Sequence, residues 1–266
     1  MNVMIILLIL VSMVGMIFGL KKHKEGLEWG RPLTIAFLLL GVLVMVLQFR
    51  AVLGGGARER IQRETSFREA LGGRIGQIVA SEFGSNPRVV VIPDVGWDSA
   101  VMDGFMSAVR GTGTVEVLEP DLEAYFRERM RAENIPADEE ELWLEHELGF
   151  AYVSKQVPVD LMNDLLRRVE GTPDVLVLFS ALPINYRALH IMGQTDRPRI
   201  ILASAEEMLE PEQLASGLER GLFYGVVIHN DDPEGWRDDT RVPRDVAEAF
   251  AKRYIWVTRE NYRQHL

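Results

Sequence analysis

Residues 88–118, RVVVIPDVGWDSAVMDGFMSAVRGTGTVEVL, decide the fold of this chain. The run Arg88–Pro93 is apolar and β-branched after its first residue, which is typical of a strand buried on both faces. An amphipathic helix follows Asp98, whose carboxylate is placed to cap it, and extends to Val109. The run Thr114–Leu118 then has the pattern of a second strand. This order predicts parallel strands joined by a helix that covers one face of a sheet.

The same alternation continues to the carboxyl terminus. Four further strands are predicted at residues 174–179, 198–203, 222–228 and 254–258. Helices are predicted at residues 121–155 (broken near Pro136), 161–169, 211–221 and 244–253. Continuous apolar strands between helices predict a doubly wound, mostly parallel α/β sandwich over residues 85–266, with a charged helical insertion at about 120–170.

The first fifty residues have a different character. Val3–Leu20 and Pro32–Phe49 are uncharged runs of 18 residues each, and a helix of that length spans roughly 27 Å, close to the apolar thickness of a bilayer. Two such runs on either side of a short charged loop favour a transmembrane hairpin over residues 1–53 rather than a signal peptide or two buried core helices. Residues 54–84 are then a linker and a connecting helix.

The orientation of this hairpin depends on basic residues near its ends. The loop carries Lys21, Lys22, Lys24 and Arg31, and a second basic group, Arg50, Arg58, Arg60 and Arg63, follows the second span. Because the positive-inside rule weighs charges close to the spans, it favours a cytoplasmic loop and a periplasmic α/β domain at a bacterial inner membrane. The reverse orientation, with a cytoplasmic domain, stays open. Lys21, Lys22, Trp29 and Arg50 are the predicted interfacial anchors.

Charge and composition exclude several classes of protein. The chain has 266 residues, a formal charge of −10 and no cysteine, which excludes a disulfide framework, thiolate catalysis and Cys-ligated metal sites. Residues 1–63 hold eight Lys and Arg against three Glu, a charge of +5, which leaves −15 for residues 64–266. An acidic domain argues against nucleic acid as a partner, because phosphate binding needs a basic surface.

Several segments of the α/β part resemble one known family. VVVIPDVGWDSAVMDGFMSAVRGTGTVEVL resembles the opening strand–helix–strand of type 1 periplasmic binding proteins and their regulator relatives, with Gly104-Phe105 in the first helix. PDVLVLFSALP and RPRIILASAEEM are similar to that fold's third and fourth strands. LEPEQLASGLERGLFYGVVIHNDDP resembles a helix and a strand that lead to a pocket-side loop, and KRYIWVTRENY a closing strand.

This resemblance covers about residues 88–262. Members of the family have two lobes of this kind and hold their ligand between them, whereas this chain has residues for one lobe. The resemblance therefore implies the fold of a single lobe without a closing cleft, and sugar or amino-acid binding does not follow from it.

The candidate ligand-binding residues follow the ends of the predicted strands. They are Asp94, Trp97, Asp98, Ser180, Ser204, His229 and Asp231. Because ligands of open α/β sheets meet the loops at the carboxyl ends of the strands, these side chains form one candidate set for a polar ligand. Each also has a structural alternative: Asp98 and Ser204 as helix caps, Ser180 in front of a Pro-started helix, and Asn230-Asp231 as a turn.

Catalytic and cofactor signatures are missing from the sequence. It contains no G-x-G-x-x-G, Walker A, H-E-x-x-H or G-x-S-x-G pattern, and no two of its five histidines have the spacing of metal ligands. No cofactor, metal or catalytic set is therefore predicted; a hydrolase or transferase centred on His229 and Asp231 is the weakest hypothesis.

The expected function is that of a non-catalytic accessory or scaffolding subunit of a larger membrane assembly. Its partners would be other membrane-protein subunits and the lipid bilayer, and the acidic segment around Glu139–Glu141 is either a solvated face or a docking surface for a basic partner. The alternative is a membrane-tethered sensor domain that binds a small ligand through the residues at the strand ends.

Overall fold

The computed structural model describes residues 3–25, 27, 29–51, 56–95, 99–183, 185–203, 209–237 and 239–266, with the backbone alone for 3–10, 41–51 and 57. The chain divides into two compact units, Met1–Arg63 and Glu64–Leu266. The first contains a pair of long helices and the second contains the β-sheet.

The pair of long helices coincides with the two apolar runs. α1 (Val3–Lys24) and α2 (Gly30–Ala51) pack closely through small residues. A Cβ atom added at Gly15 would lie 2.4 Å from the ring of Phe37, and the Ser12 hydroxyl donates to the carbonyl oxygen of Phe37 at 2.6 Å. Among the described residues, no helix has both the length and the apolar character needed to cross a bilayer. The transmembrane assignment of these runs stays a prediction.

The second unit is built on one six-stranded sheet, and the prediction of a mostly parallel sheet is confirmed. Its strands are β1 (Arg88–Ile92), β2 (Thr114–Val117), β3 (Val175–Leu178), β4 (Arg199–Leu202), β5 (Gly225–His229) and β6 (Tyr254–Thr258). Their spatial order is β2-β1-β3-β4-β5-β6. β1 to β5 are parallel, and β6 pairs antiparallel with β5.

Helices cover both faces of this sheet. They are α3 (Ala57–Glu82, which begins in the first unit), α4 (Ser99–Ala108), α5 (Leu122–Glu133), α6 (Glu140–Ser154), α7 (Val159–Arg167), α8 (Pro211–Glu219), α9 (Val246–Arg253) and α10 (Tyr262–His265). Successive strand residues point to opposite faces, so Val89 and Val91 pack with α3, α4 and α9, whereas Val90 and Ile92 pack with α5 to α8. The α/β part is therefore doubly wound.

The segment at 120–170, expected as a helical insertion, forms the connection from β2 to β3. Asp121 caps α5 by accepting from the backbone N–H of Ala124 at 2.9 Å, and Asn134 ends α5 in a left-handed conformation with φ of 58°. Phe126 of α5, Leu144 of α6 and other apolar residues of α5–α7 are buried in the core. These helices therefore form one covering layer of the sandwich.

The fifth strand is shorter than its apolar run, because the beginning of that run caps the preceding helix. The N–H of Leu222 donates to the carbonyl oxygen of Gly217, and that of Gly221 to Leu218. With Gly221 at a φ of 64°, these bonds form a Schellman motif at the end of α8. The prediction that the strand starts at residue 222 is therefore wrong; it starts at Gly225.

Candidate functional site

Asp94 and Ser180 come together where the sheet changes its winding direction. From β1 the chain moves outward to β2, then returns across β1 to β3 on the other side. The connections that leave β1 and β3 therefore diverge, and the crevice at the carboxyl ends of these strands is the usual ligand position in such sheets. Since Ile92 is paired with Leu178, Asp94 and Ser180 occupy equivalent positions two residues beyond the two strands.

Ser180 has a hydroxyl group that the described residues leave unpaired. The residue is 3% exposed, and its Oγ has no hydrogen-bond partner among the described residues. Its backbone N–H donates to the carbonyl oxygen of Ile92 at 3.4 Å, which fixes it beside β1. A buried hydroxyl without a partner costs about 1–3 kcal/mol, so this atom marks a polar position at which a ligand group would be stabilised.

Lys155 joins these residues although the sequence did not indicate it. Its Nζ lies 3.9 Å from Oδ2 of Asp94, and its carbonyl oxygen accepts from the N–H of Ala181 at 2.9 Å. It follows α6 in a left-handed conformation with φ of 53°. This arrangement brings a carboxylate, an ammonium and a hydroxyl to one edge of the sheet.

Three of the candidate residues cannot be compared with the structure. Trp97 and Asp98, which follow β1, lie outside the described residues, as does Ser204, which follows β4. Their predicted ligand-binding and capping roles stay predictions.

His229 and Asp231 belong to a different neighbourhood. β5 is three strands away from β1 in the sheet, which at strand spacing places the ends of these strands roughly 14 Å apart. The His229 ring stacks edge-on against Trp236, with centroids 5.1 Å apart. The N–H of Asp232 donates to Oδ1 of Asn230 at 3.1 Å, so the exposed Asp231 lies in an Asx turn, the structural alternative that its sequence suggested.

The described residues show no constellation with an obvious catalytic use. Within them, no group of three or more His, Asp or Glu side chains is placed to hold a metal ion. His146 is an exposed helix position, with its Nδ1 3.6 Å from a carboxylate oxygen of Glu147. The residues at β1 and β3 are instead suited to binding, since they offer a hydrogen-bond donor and both signs of charge.

Replacing Ser180 with alanine tests whether its hydroxyl is unpaired. We expect the free energy of unfolding to stay the same or to rise by up to about 1 kcal/mol, because the change removes a buried polar atom without breaking a hydrogen bond. Ser107→Ala, at an exposed position of α4, is the control for the loss of a serine hydroxyl. A loss of more than about 1 kcal/mol on chemical denaturation, specific to Ser180→Ala, would show that the hydroxyl has a partner.

The described part of the α/β unit also has grooves away from this position. One, of about 720 Å³, lies between α3, α4 and the segment before α9, with Glu69, Asp103 and Arg244 in its lining. A second, of about 590 Å³, contains Arg199 and Tyr224. In the second groove, Arg199 lies over the ring of Tyr224, and the Tyr224 hydroxyl donates to Glu82.

Tyr224 provides a prediction about alkaline pH. Burial, together with the hydrogen bond to Glu82 and the negative charge of that carboxylate, raises its pKa to about 12. The folded protein therefore holds this proton more tightly than the unfolded chain, in which the pKa is about 10. Its contribution to stability is present below pH 10 and is lost as the pH rises from about 10 to about 12. Ionisation of tyrosine can be followed by absorbance at 295 nm as the pH is raised. The difference between the titration curves of the parent protein and of Tyr224→Phe belongs to Tyr224 and should have its midpoint near pH 12; a midpoint near pH 10 would contradict this prediction.

Three of the four predicted membrane anchors, Lys21, Lys22 and Trp29, lie at the turn of the hairpin. Lys21 and Lys22 are in the last turn of α1, where Lys22 forms an ion pair with Glu25 at 2.6 Å. The exposed Trp29 ring lies 6.3 Å from the ring of Phe18. The side chain of Arg50 lies outside the described part of the chain.

Comparison with known proteins adds no relative to these observations. No protein-family model, curated protein or solved structure matches this chain. The resemblance to type 1 periplasmic binding proteins therefore stays a prediction.

Proposed function

We propose that this chain is a membrane-anchored, non-catalytic accessory or scaffolding subunit of a larger membrane assembly. The α1–α2 hairpin crosses the bilayer twice and holds the acidic α/β unit at the membrane surface. Other membrane-protein subunits are its partners, and the α/β unit supplies the surface that they bind.

The observation that carries the membrane proposal is the inverted polarity of the hairpin. Ser12 is buried between the helices, and Gly15 and Gly19 contact Phe37 and Thr34 of α2. Large apolar side chains lie on the outside instead: Val11, Met13, Val14, Ile17, Phe18, Leu20, Ile35, Leu38 and Leu39. Small and polar residues inside with apolar residues outside are typical of helices that pack in lipid.

The size of this exposed apolar surface favours lipid over water. Burying one large apolar side chain contributes about 1.5–3 kcal/mol, so nine half-exposed side chains represent on the order of 10 kcal/mol of hydrophobic free energy. A monomeric soluble protein rarely leaves a patch of this size in water. In a bilayer the same side chains contact acyl chains, and the Ser12 hydroxyl is already satisfied by Phe37.

The basic residues support one orientation of the hairpin. Lys21, Lys22, Lys24 and Arg31 lie within or beside the turn between the helices. The positive-inside rule then favours a cytoplasmic turn and an α/β unit on the periplasmic side. Trp29 and the lysines lie where side chains interact with lipid headgroups.

Membrane extraction and proteolysis test this proposal on the full chain. We expect the protein to stay in the membrane fraction after alkaline carbonate washing and to be released by detergent. External protease added to spheroplasts should degrade residues 64–266, whereas a protected domain would reverse the orientation. Release by carbonate alone would contradict the anchor.

Purification in mild detergent tests the role as a subunit. Recovery of the lone chain, without a stable partner, would contradict that role.

The second candidate function is a membrane-tethered sensor of a small polar ligand. It is favoured by one observation: the buried hydroxyl of Ser180, at the same end of the sheet as Asp94 and Lys155, has no hydrogen-bond partner among the described residues. A ligand that binds only the folded state raises the melting temperature by mass action. A thermal-shift screen of small polar compounds on the full chain should then give a shift that Ser180→Ala reduces; a shift that is the same in both proteins would place the ligand elsewhere.

A further inference from the structure

Helix α6 has an apolar face that no described residue of the α/β unit covers. Leu142 is 72% exposed, Phe150 58% and Val153 86%, whereas Leu144 and Ala151 on the opposite side are buried. The exposed residues are separated by eight, three and eleven positions, which places them along one side of a helix. α6 therefore has two apolar sides, and only one of them contributes to the core.

The middle of this face is open to solvent. A Cβ atom added at Gly149 would meet nothing within 4 Å, and the His146 side chain is exposed. α6 has 15 residues and is therefore about 22 Å long. These dimensions fit three to four turns of another helix laid along the face, with its apolar residues in contact with Leu142, Phe150 and Val153.

The charged side chains of the segment that forms the face are all acidic. Residues 136–154 contain six acidic residues and no Lys or Arg: Asp138, Glu139, Glu140, Glu141, Glu145 and Glu147. Glu141 and Glu145 are exposed, and Glu145 lies one turn from Leu142 along the same helix. An apolar stripe bordered by carboxylates is complementary to a helix whose apolar stripe is bordered by Lys and Arg.

The same charges disfavour the two other occupants. A second copy of the chain would bring two acidic borders together, and like charges across an interface cost several kcal/mol. A membrane surface that contains anionic lipid repels this face in the same way. A basic partner gains electrostatic attraction in addition to the apolar contact.

We propose that the exposed face of α6, defined by Leu142, His146, Gly149, Phe150 and Val153, binds a basic amphipathic helix of a partner subunit. The apolar residues of that helix pack on Leu142, Phe150 and Val153, and its Lys and Arg side chains pair with Glu141 and Glu145. This inference rests on the proposed role as an accessory subunit and names the chemistry of its partner.

A synthetic helix serves as the probe. An 18-residue peptide with Leu at every third or fourth position and Lys and Ala elsewhere is labelled with a fluorophore and titrated against the full chain in phosphatidylcholine nanodiscs. A peptide with the same Leu pattern and Glu in place of Lys is the charge control, and empty nanodiscs correct for binding to lipid. We expect the basic peptide to bind with an affinity that falls as salt rises, and the acidic peptide not to bind.

Variants of exposed residues locate the binding surface. Phe150→Ser with Val153→Ser should weaken binding by about tenfold or more, since apolar anchors carry most of the affinity of such interfaces. Glu145→Lys should weaken it and reduce its salt dependence. The matched control is Met106→Ser, which removes an exposed apolar residue of α4 and should leave binding unchanged. Far-ultraviolet circular dichroism checks that every variant is folded.

The outcomes separate this inference from the proposed function. Equal binding of the acidic peptide, or equal binding by the Phe150→Ser, Val153→Ser double variant, overturns the docking surface while the anchor stands. Efficient disulfide dimerisation of Val153→Cys in proteoliposomes overturns it in favour of a second copy. Failure of the full chain to enter nanodiscs contradicts the anchor instead, and the same titration on the free chain still tests the α6 face.

Discussion

Replacing Arg253 with alanine is expected to lower the free energy of unfolding of the α/β unit by about 3 kcal/mol. Arg253 is 2% exposed; its Nε donates to the carbonyl oxygen of Gly235 at 2.9 Å, and its Nη1 and Nη2 donate to the carboxylate of Glu64 at 2.6 and 2.9 Å. The guanidinium lies 3.8 Å from the ring centre of Phe67 and 4.9 Å from that of Trp236. Alanine leaves a cavity, an unpaired carbonyl group and two rings without their cation.

The loss is expected to come from packing and hydrogen bonding more than from charge. The Glu64 side chain is 47% exposed, so water solvates its carboxylate when the partner is removed. Arg253→Lys keeps the charge without the planar fork and should recover only part of the stability. Arg127→Ala, which removes an exposed i, i+4 partner of Glu123, is the control and should cost a few tenths of a kcal/mol. Equal losses for Arg253→Ala and Arg127→Ala in urea denaturation would contradict this account.

Replacing Gly104 with alanine is expected to destabilise the α/β unit by about 3 kcal/mol. A Cβ atom at Gly104 of α4 would lie 2.1 Å from the carbonyl oxygen of Glu69, and one at Gly72 of α3 would lie 1.8 Å from that of Val101. Both clashing atoms are backbone carbonyl oxygens, so the steric clash is removed only if α3 and α4 move apart. That movement would open the core around Phe105, which is fully buried.

Gly149→Ala is the matched control for this prediction, because it is the same change within another helix. Nothing lies within 4 Å of the added Cβ atom, so the substitution should raise the free energy of unfolding by up to about 1 kcal/mol through the better helix propensity of alanine. The two glycine variants should therefore shift the urea midpoint in opposite directions. A stabilising Gly104→Ala would show that α3 and α4 are not in close contact.

The sequence predicted the elements of the α/β unit well, because most of them depend on local patterns. β-branched runs such as Val89–Ile92 mark buried strands, and Asp121 and Pro136 mark where α5 begins and where the long helical segment breaks. The start of β5 was missed since Leu222–Tyr224 is as apolar as a strand but caps α8. Hydropathy does not distinguish an apolar segment that pairs in a sheet from one that ends a helix.

The grouping of the candidate site residues depended on strand order, which local patterns do not contain. Asp94 and Ser180 lie together because the chain returns across β1 between β2 and β3, whereas the same crossing leaves His229 on a distant strand. Lys155 approaches Asp94 only through this long-range connection. No spacing in the sequence relates these two residues.

The sequence did not predict the exposed face of α6, for a related reason. Leu142, Leu144, Phe150, Ala151 and Val153 together make the helix apolar on two sides, and composition does not reveal which side enters the core. The core contacts of α6 bury Leu144 and Ala151. The other side is thereby left exposed.

The most direct test of the central claim is fluorescence quenching from within the lipid. Since the chain has no cysteine, Val14→Cys, Leu39→Cys and Ser107→Cys can each be labelled with an environment-sensitive dye in full-length protein reconstituted into vesicles. We predict that nitroxide on the lipid acyl chains quenches the dyes at positions 14 and 39 and that iodide does not reach them, whereas iodide quenches the dye at position 107. Equal quenching by iodide at all three positions would contradict a membrane-anchored subunit.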